Sequence, residues 1–260
     1  MSAFYEPTGP DTFRATEATQ GPWDRGAQHG GPPTALLAAV VERHAGGEGR
    51  RIARVTAEFL RPVPVGEVTV RVAVARPGRR VQLVEAELVH GGTVVMTAHV
   101  WQLATSPVPE ATGTQPPPPV PDAGLSTWDW FGYGRAHEWR PTSGDPGSGG
   151  PAAAWARLRV PLVAGWEVTG LDRLLVLADS TNGFSLELPM AQWLSVPTSV
   201  TVTVLRPPVG QWVHLAARTH LSGDGLGLAH GTLSDPDGLV ATATQPLYVS
   251  RVGKPGKPGV

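Results

Sequence analysis

The chain has 260 residues, enough for one large domain or two of ordinary size, and 41% of them are hydrophobic, which is enough for a packed core. Its 21 basic and 22 acidic residues leave a formal net charge of −1 with no run of like charges, which argues against nucleic acid as a partner. The absence of cysteine excludes a disulfide framework, a thiolate nucleophile and a cysteine-ligated zinc.

The first residues, Met1 to Thr12, are polar and contain proline. A signal peptide would instead begin with a basic stretch followed by an apolar run. No apolar stretch approaches the roughly 20 residues that a membrane-spanning helix needs. We therefore expect a cytoplasmic protein that does not insert into a membrane.

The first helix candidate follows a pair of prolines. Pro32-Pro33 can supply the first turn of a helix from Thr34 to about His44, because the first turn does not use the N–H groups that proline lacks. Gly46-Gly47 is a stop signal. Apolar residues recur at helical spacing on one face, namely Leu36, Leu37, Val40 and Val41.

Strand patterns follow this helix. Period-two alternation occurs at Val68, Val70, Val72 and Val74. Gly91-Gly92 precedes a strand from Thr93 to Trp101 and predicts a hairpin turn. Two segments rich in Pro, Gly and Ser, Thr105 to Pro121 and Arg140 to Ala153, then resemble connectors in composition.

The second half repeats this order of helix and strands. Its helix candidate has apolar residues at Leu171, Leu174, Leu175 and Ala178, and Asn182-Gly183 is a stop signal. In the strand that follows, Val200, Val202 and Val204 share one face, and Ser199, Thr201 and Thr203 share the other. Asp235 to Gly238 precede a last strand from Leu239 to Val249, which predicts a second hairpin.

The two halves are related by a fixed spacing. Leu60-Arg61-Pro62 recurs 145 residues later as Leu205-Arg206-Pro207, and the hairpins fall near the same offset. Self-similarity at one spacing is typical of a duplicated supersecondary unit. We predict a first unit at 1–104, a connector with a short strand at 105–153, a second unit at 154–250 and a flexible tail at 251–260. Periodicity alone would fit any α+β domain, either a pseudo-dimeric barrel-like fold or two unrelated layers.

Several motifs match a known family. They are Gly21-Pro22-Trp23, Gln28 to Pro33 and Arg61 to Pro64 in the first half, and Asp179, Arg206-Pro207-Pro208, Gly210-Gln211-Trp212 and Gln245 in the second. In order and spacing the chain resembles the acyl-CoA thioesterase II family and its TesB-like relatives. The resemblance implies an α+β double hot-dog, with two tandem units that each wrap an antiparallel sheet around a long helix.

The resemblance also implies a reaction. The family hydrolyses acyl-CoA to the free acid and CoA without a covalent intermediate, using an Asp, a Gln and a Ser or Thr hydroxyl to hold one water. Asp179 and Gln245 match the first two positions. The hydroxyl position falls at Pro197, which has no hydroxyl, so Thr198 and Ser199 are the nearest candidates. No cofactor is implied beyond the CoA of the substrate, and no metal.

Each of these residues also has an ordinary structural interpretation. Asp179 fits a polar turn that ends a helix, and Gln245 before a proline fits an exposed strand end. Thr198 and Ser199 are common strand residues. Sequence leaves these alternatives open.

Four further residues are candidates for binding the substrate. They are His29, Gly30 and Gly31 before the first helix, and Trp193, which would border an acyl tunnel. His29 also fits a structural role, because residues before a helix satisfy its free backbone groups.

Other chemistries lack their motifs. The chain has no Gly-x-Ser-x-Gly elbow, no phosphate-binding loop, no dinucleotide fingerprint and no His-Glu-x-x-His, and its eight histidines are scattered. Two alternative functions stay open. One is a hot-dog dehydratase or hydratase that uses His29 with a carboxylate such as Asp24, and the other is a non-catalytic acyl-binding protein. Paired units already supply a dimer-like body, and a homo-oligomer of such subunits is left open.

Overall fold

One antiparallel sheet runs through both halves of the chain. The computed structural model describes residues 2–47, 49–108, 116–122, 124 and 128–253. The first half contains β1 (Tyr5–Gly9), β2 (Thr12–Ala15), a 3-10 turn (Glu17–Thr19), α1 (Gly31–Ala45), β3 (Arg50–Phe59), β4 (Glu67–Arg76), β5 (Val81–His90) and β6 (Thr93–Ala104). The second contains α2 (Gly132–Arg135), β7 (His137–Ser143), β8 (Ala152–Leu158), α3 (Gly170–Ala178), α4 (Ser180–Phe184), β9 (Trp193–Pro197), β10 (Ser199–Val204), β11 (Val213–Leu221), β12 (Leu226–Asp235) and β13 (Gly238–Arg251).

The strand order is the same in both halves but reversed in direction. It reads β1-β2-β4-β5-β6-β3 and then β10-β13-β12-β11-β8-β7, with β9 paired to β13. The halves join through the β3–β10 ladder, where Thr56 lies opposite Thr201 and accepts a hydrogen bond from its hydroxyl. These two residues are 145 positions apart. The 145-residue offset in the sequence therefore corresponds to the pseudo-two-fold symmetry that relates the two halves of the fold. The predicted double hot-dog architecture is confirmed.

Local signals set the limits of α1. The helix begins at Gly31 with the two prolines in its first turn and ends at Ala45, where the N–H of Gly46 bonds to the carbonyl of Glu42. Both limits agree with the prediction to within a few residues. The apolar face of α1 is buried against the sheet and against α3.

The second helix departs from its prediction. α3 begins after Thr169, whose side chain forms a capping box with Asp172 and so satisfies free backbone N–H groups of the first turn. α3 itself ends at Ala178, and α4 follows it and ends at Phe184, one residue after Gly183. The predicted stop at Asn182-Gly183 therefore marks the end of the helical segment and not the end of α3. The backbone N–H of Asn182 is held by the Gln245 side chain, a tertiary contact that a local signal does not encode.

The second half also starts earlier than the predicted boundary. β7 and the first residues of β8 lie within 105–153, the segment assigned to a connector, although a short strand was expected there. Ala152 to Ala156 are all buried, so β8 lacks the alternation by which strands were recognised. Residues 109–115, 123 and 125–127 of the connector and 254–260 of the predicted tail lie outside the described residues, and β13 extends to Arg251.

A glycine allows α1 and α3 to approach closely. A Cβ at Gly31 would lie 2.0 Å from the backbone carbonyl oxygen of Val176. We expect Gly31→Ala to lower the free energy of unfolding by at least about 2 kcal/mol, because backbone atoms must shift to admit the methyl group. Gly183→Ala is the matched control, since nothing lies within 4 Å of its Cβ position and alanine favours a helix. Urea denaturation of both variants tests this, and equal stabilities would contradict the close contact.

Candidate active site

A cavity of about 660 Å³ opens where the start of α1 meets the end of α3. Pockets of this size and largely apolar lining are typical of small-molecule sites. Six segments contribute to its walls, within residues 22–30, 59–63, 128–133, 145–148, 179–190 and 194–198.

Asp179 lies at this junction, between α3 and α4, and is only 7% exposed. The side-chain amide of Gln245 donates to its Oδ1 at 2.7 Å and to its backbone oxygen at 3.3 Å. The Oε1 of the same glutamine accepts from the backbone N–H of Asn182 at 2.9 Å. Gln245 is fully buried, so both ends of its amide are used inside the protein. The structure brings the two predicted residues together, with Gln245 holding Asp179 in place.

His29 approaches Asp179 from the other half of the chain. Its Nδ1 lies 3.2 Å from Asp179 Oδ2 and 3.3 Å from the backbone nitrogen of Gly31, which donates to it. The ring stacks on Tyr133 with a centroid distance of 3.8 Å and an angle of 4°. The Tyr133 hydroxyl donates to the carbonyl of Val176 at 2.9 Å and also contacts the Ser180 hydroxyl at 2.7 Å. The imidazole is thus fixed on both its edge and its face.

Burial shifts the two ionisable groups in opposite directions. It raises the pKa of Asp179 to about 7, although N–H groups at the start of α1 and the Gln245 amide partly oppose this. Burial also lowers the pKa of His29 to about 3, and the charge of His137 acts in the same direction. At neutral pH the imidazole is therefore uncharged while the carboxyl titrates.

The structure adds polar residues that sequence reasoning missed. The Ser195 hydroxyl donates to Asn182 Oδ1 at 3.0 Å, and Asn182 returns a bond from Nδ2 to the Ser195 carbonyl. Because Asn182 also holds Gln245, a buried polar chain runs from Ser195 to Asp179. Ser195 lies two residues before Pro197, just as Ser199 lies two residues after it. This spacing of two was the one sequence signal that could have pointed to Ser195.

The two predicted hydroxyls have different positions. Thr198 lies on the cavity wall. Ser199 is only 9% exposed and shares the sheet face of Thr201, while Val200 on the other face packs in the core with the helices. Because side chains alternate along a strand, Ser199 lies on the face of β10 away from the cavity. The prediction of Ser199 as the catalytic hydroxyl is therefore corrected.

Of the four predicted substrate-binding residues, His29 and Gly30 line the cavity and Gly31 and Trp193 do not. Gly30 lies on the cavity wall beside His29, whereas Gly31 packs against α3. The cavity lining drawn from the described residues does not include Trp193. That side chain packs instead against the cluster of Ala229, Leu247 and Val249, so its predicted place beside an acyl tunnel is not supported.

The described residues contain no group of three or more His, Asp or Glu side chains placed to bind a metal ion. Within the same residues, no helix combines the length and apolar character needed to cross a bilayer.

The fold is that of a double hot-dog protein, and the site has a buried carboxyl at the junction of two helices, as an enzyme with a general base would. Comparison with family models identifies the family. The acyl-CoA thioesterase N-terminal domain matches residues 19–103, and the acyl-CoA thioesterase C-terminal domain matches residues 109–249. The chain therefore belongs to the acyl-CoA thioesterase family and is a thioester hydrolase.

Solved structures share the fold at low sequence identity. A hot-dog protein of unknown function from Alicyclobacillus acidocaldarius has 19% identity and a TM-score of 0.72, with 93% of each chain covered. The tesB protein of Mycobacterium avium subsp. paratuberculosis has 19% identity and a TM-score of 0.69, covering 95% of this chain and 96% of its own. An acyl-CoA thioesterase II from Mycobacterium marinum has 17% identity and a TM-score of 0.69, covering 98% and 97%. A search of curated proteins gives no match.

Proposed function

We propose that the protein hydrolyses acyl-CoA thioesters to the free acid and CoA through a water molecule that Asp179 activates. One observation supports this most directly. Asp179 is a buried carboxyl with a pKa of about 7, held by Gln245 at the wall of a largely apolar cavity. A general base is most effective when its pKa lies near the working pH.

The chemistry follows from these positions. Ionised Asp179 accepts a proton as the water oxygen attacks the thioester carbonyl carbon, the C–S bond then breaks, and CoA leaves as the thiolate. The N-terminal end of α1 lies beside Asp179, and its N–H groups favour the ionised carboxyl that acts as the base. No covalent intermediate is needed.

The structure supports a division of roles that differs from the sequence expectation. Both ends of the Gln245 amide already bond to protein groups, Nε2 to Asp179 and Oε1 to the N–H of Asn182. In this proposal Gln245 therefore positions the base and does not hold the water. The water contacts Asp179 and the hydroxyl of Thr198, which lies on the cavity wall. His29 contacts the same carboxyl and limits its rotation.

A second candidate function is favoured by the His29–Asp179 contact. A hot-dog hydratase or dehydratase requires an imidazole paired with a carboxylate, and the sequence offered only Asp24 for this role. Asp24 Oδ1 instead accepts the backbone N–H of Gly26 at 2.7 Å within its own loop. Asp179 provides the carboxyl at 3.2 Å from His29, so acid–base chemistry on an enoyl thioester has a structural basis.

One experiment separates these functions. Purified protein is incubated with saturated acyl-CoAs of several lengths and with a 2-enoyl-CoA, while free thiol and enoyl absorbance are followed together. Hydrolysis predicts thiol release from the saturated thioesters. Loss of enoyl absorbance without thiol would indicate hydration, and acyl-CoA binding in titration calorimetry with neither change would indicate an acyl-binding protein. Either of these two results would overturn the proposed hydrolysis.

A further inference from the structure

Part of the cavity wall is a continuous run of aromatic rings. His29 beside the catalytic carboxyl stacks on Tyr133, and Tyr133 lies 6.4 Å from Phe131 between ring centroids. Phe131 in turn lies 4.7 Å from Trp130 and 6.3 Å from Trp128. All five side chains line the cavity. Tyr133 and Phe131 are only 1% and 6% exposed, so an acyl group that extends along this wall contacts mainly the rings of Trp128 and Trp130.

This wall is held rigidly from behind. Trp128 packs edge-on against Phe184 at 4.7 Å and against Trp139 at 5.0 Å. The Tyr133 hydroxyl is fixed by its bond to the carbonyl of Val176. A rigid aromatic surface differs from the flexible methionine-rich surfaces that adapt to many chains. The aliphatic part of the lining includes Leu60, Val63, Leu186, Met190, Leu194 and Val196.

Such a wall discriminates between acyl groups of equal size. A ring in the acyl group can form edge-to-face or offset-stacked contacts, and one aromatic pair adds a factor of about 2 to 10 in binding beyond area burial. A saturated group of the same carbon number buries a similar area and lacks this interaction. Long flexible chains also lose rotamer freedom when they are ordered in a cavity.

We propose that this site, as a thioester hydrolase of the kind described above, prefers aryl-containing acyl thioesters to saturated ones of the same carbon number. The proposal rests on the proposed function for turnover, but its binding preference depends on the aromatic wall alone, in which Trp128 and Trp130 are the more exposed rings.

The test compares 3-phenylpropanoyl-CoA with 3-cyclohexylpropanoyl-CoA, which share carbon number and linkage. We expect kcat/KM for the phenyl substrate to be at least about fivefold higher. Trp130→Leu and Phe131→Leu should bring the ratio toward one. Trp130 is 54% exposed, so its replacement has little effect on folding. Trp212→Leu is the matched control, because Trp212 lies outside the cavity lining and packs near Arg157.

Binding of the corresponding non-hydrolysable thioethers, measured by titration calorimetry, separates this inference from the proposed hydrolysis. Tighter binding of the phenyl thioether supports the inference even if neither thioester is hydrolysed, in which case only the hydrolysis proposal fails. Equal or tighter binding of the cyclohexyl thioether overturns the inference whether or not hydrolysis occurs. A ratio that survives both wall variants also overturns it.

Discussion

Asp179→Asn should reduce kcat/KM for thioester hydrolysis by at least about a hundredfold while leaving the protein folded. An amide cannot accept a proton from water, so the general base is lost. The contacts with Gln245 and His29 can be kept, because an asparagine Oδ1 accepts from Gln245 Nε2 and its NH₂ group donates to His29 Nδ1. Thiol release from the best substrate of the acyl-CoA panel measures the loss.

The same substitution should change the pH dependence of stability. Burial raises the pKa of Asp179 from 3.8 to about 7, so the folded state binds this proton more tightly than the unfolded state. Its contribution is fully present below the unfolded pKa and is lost as pH rises through about 7, a change of roughly 4 kcal/mol. The asparagine variant has no such loss, and its melting temperature relative to wild type should rise between about pH 4 and pH 7, the window set by this shift.

Asp24→Asn is the matched control for both measurements. Asp24 is an exposed carboxylate on the wall of the same cavity, and an asparagine keeps its bond to the Gly26 N–H. It should leave hydrolysis and the pH dependence of stability unchanged. Retained hydrolysis in Asp179→Asn, or an equal loss in Asp24→Asn, would remove Asp179 from its proposed role.

Gln245→Leu should shift the acid limb of the pH–rate profile to higher pH. In wild type we expect kcat/KM to rise with pH through about 7, as Asp179 ionises. Donation from Gln245 favours the ionised carboxyl, so its loss raises the pKa of Asp179 further. Activity at pH 7 should fall by about tenfold or more, and the unpaired Asn182 N–H should cost about 1–3 kcal/mol of stability. Rates measured from pH 5 to 9 by thiol release give the profile.

Gln82→Leu separates positioning from general destabilisation. Gln82 is also a buried glutamine, and it donates to Gln102 Oε1 and to the Ala45 carbonyl in the first half of the chain. Its replacement should lower stability and leave the midpoint of the acid limb in place. An unchanged midpoint in Gln245→Leu, or the same shift in Gln82→Leu, would contradict a positioning role for Gln245.

Much of the fold could be predicted because its signals are local or repeated. The prolines and glycines around α1 and the alternation in β10 depend on neighbouring residues only. The 145-residue offset between Leu60-Arg61-Pro62 and Leu205-Arg206-Pro207 shows the duplication directly. The strand signal failed at β8, where Ala152 to Ala156 are all buried, and the break between α3 and α4 at Asp179 had no local signal.

The sequence by itself determined the duplicated unit, the positions of α1 and α3 and, through resemblance, the pair of Asp179 and Gln245 as site candidates. Only the tertiary structure decided which groups meet that pair. His29, Tyr133 and Ser195 come from separate segments and converge at the end of α3, while β-strand alternation turns Ser199 away. Contacts between residues far apart in the chain depend on how sheet and helices pack, and local pattern does not contain that information.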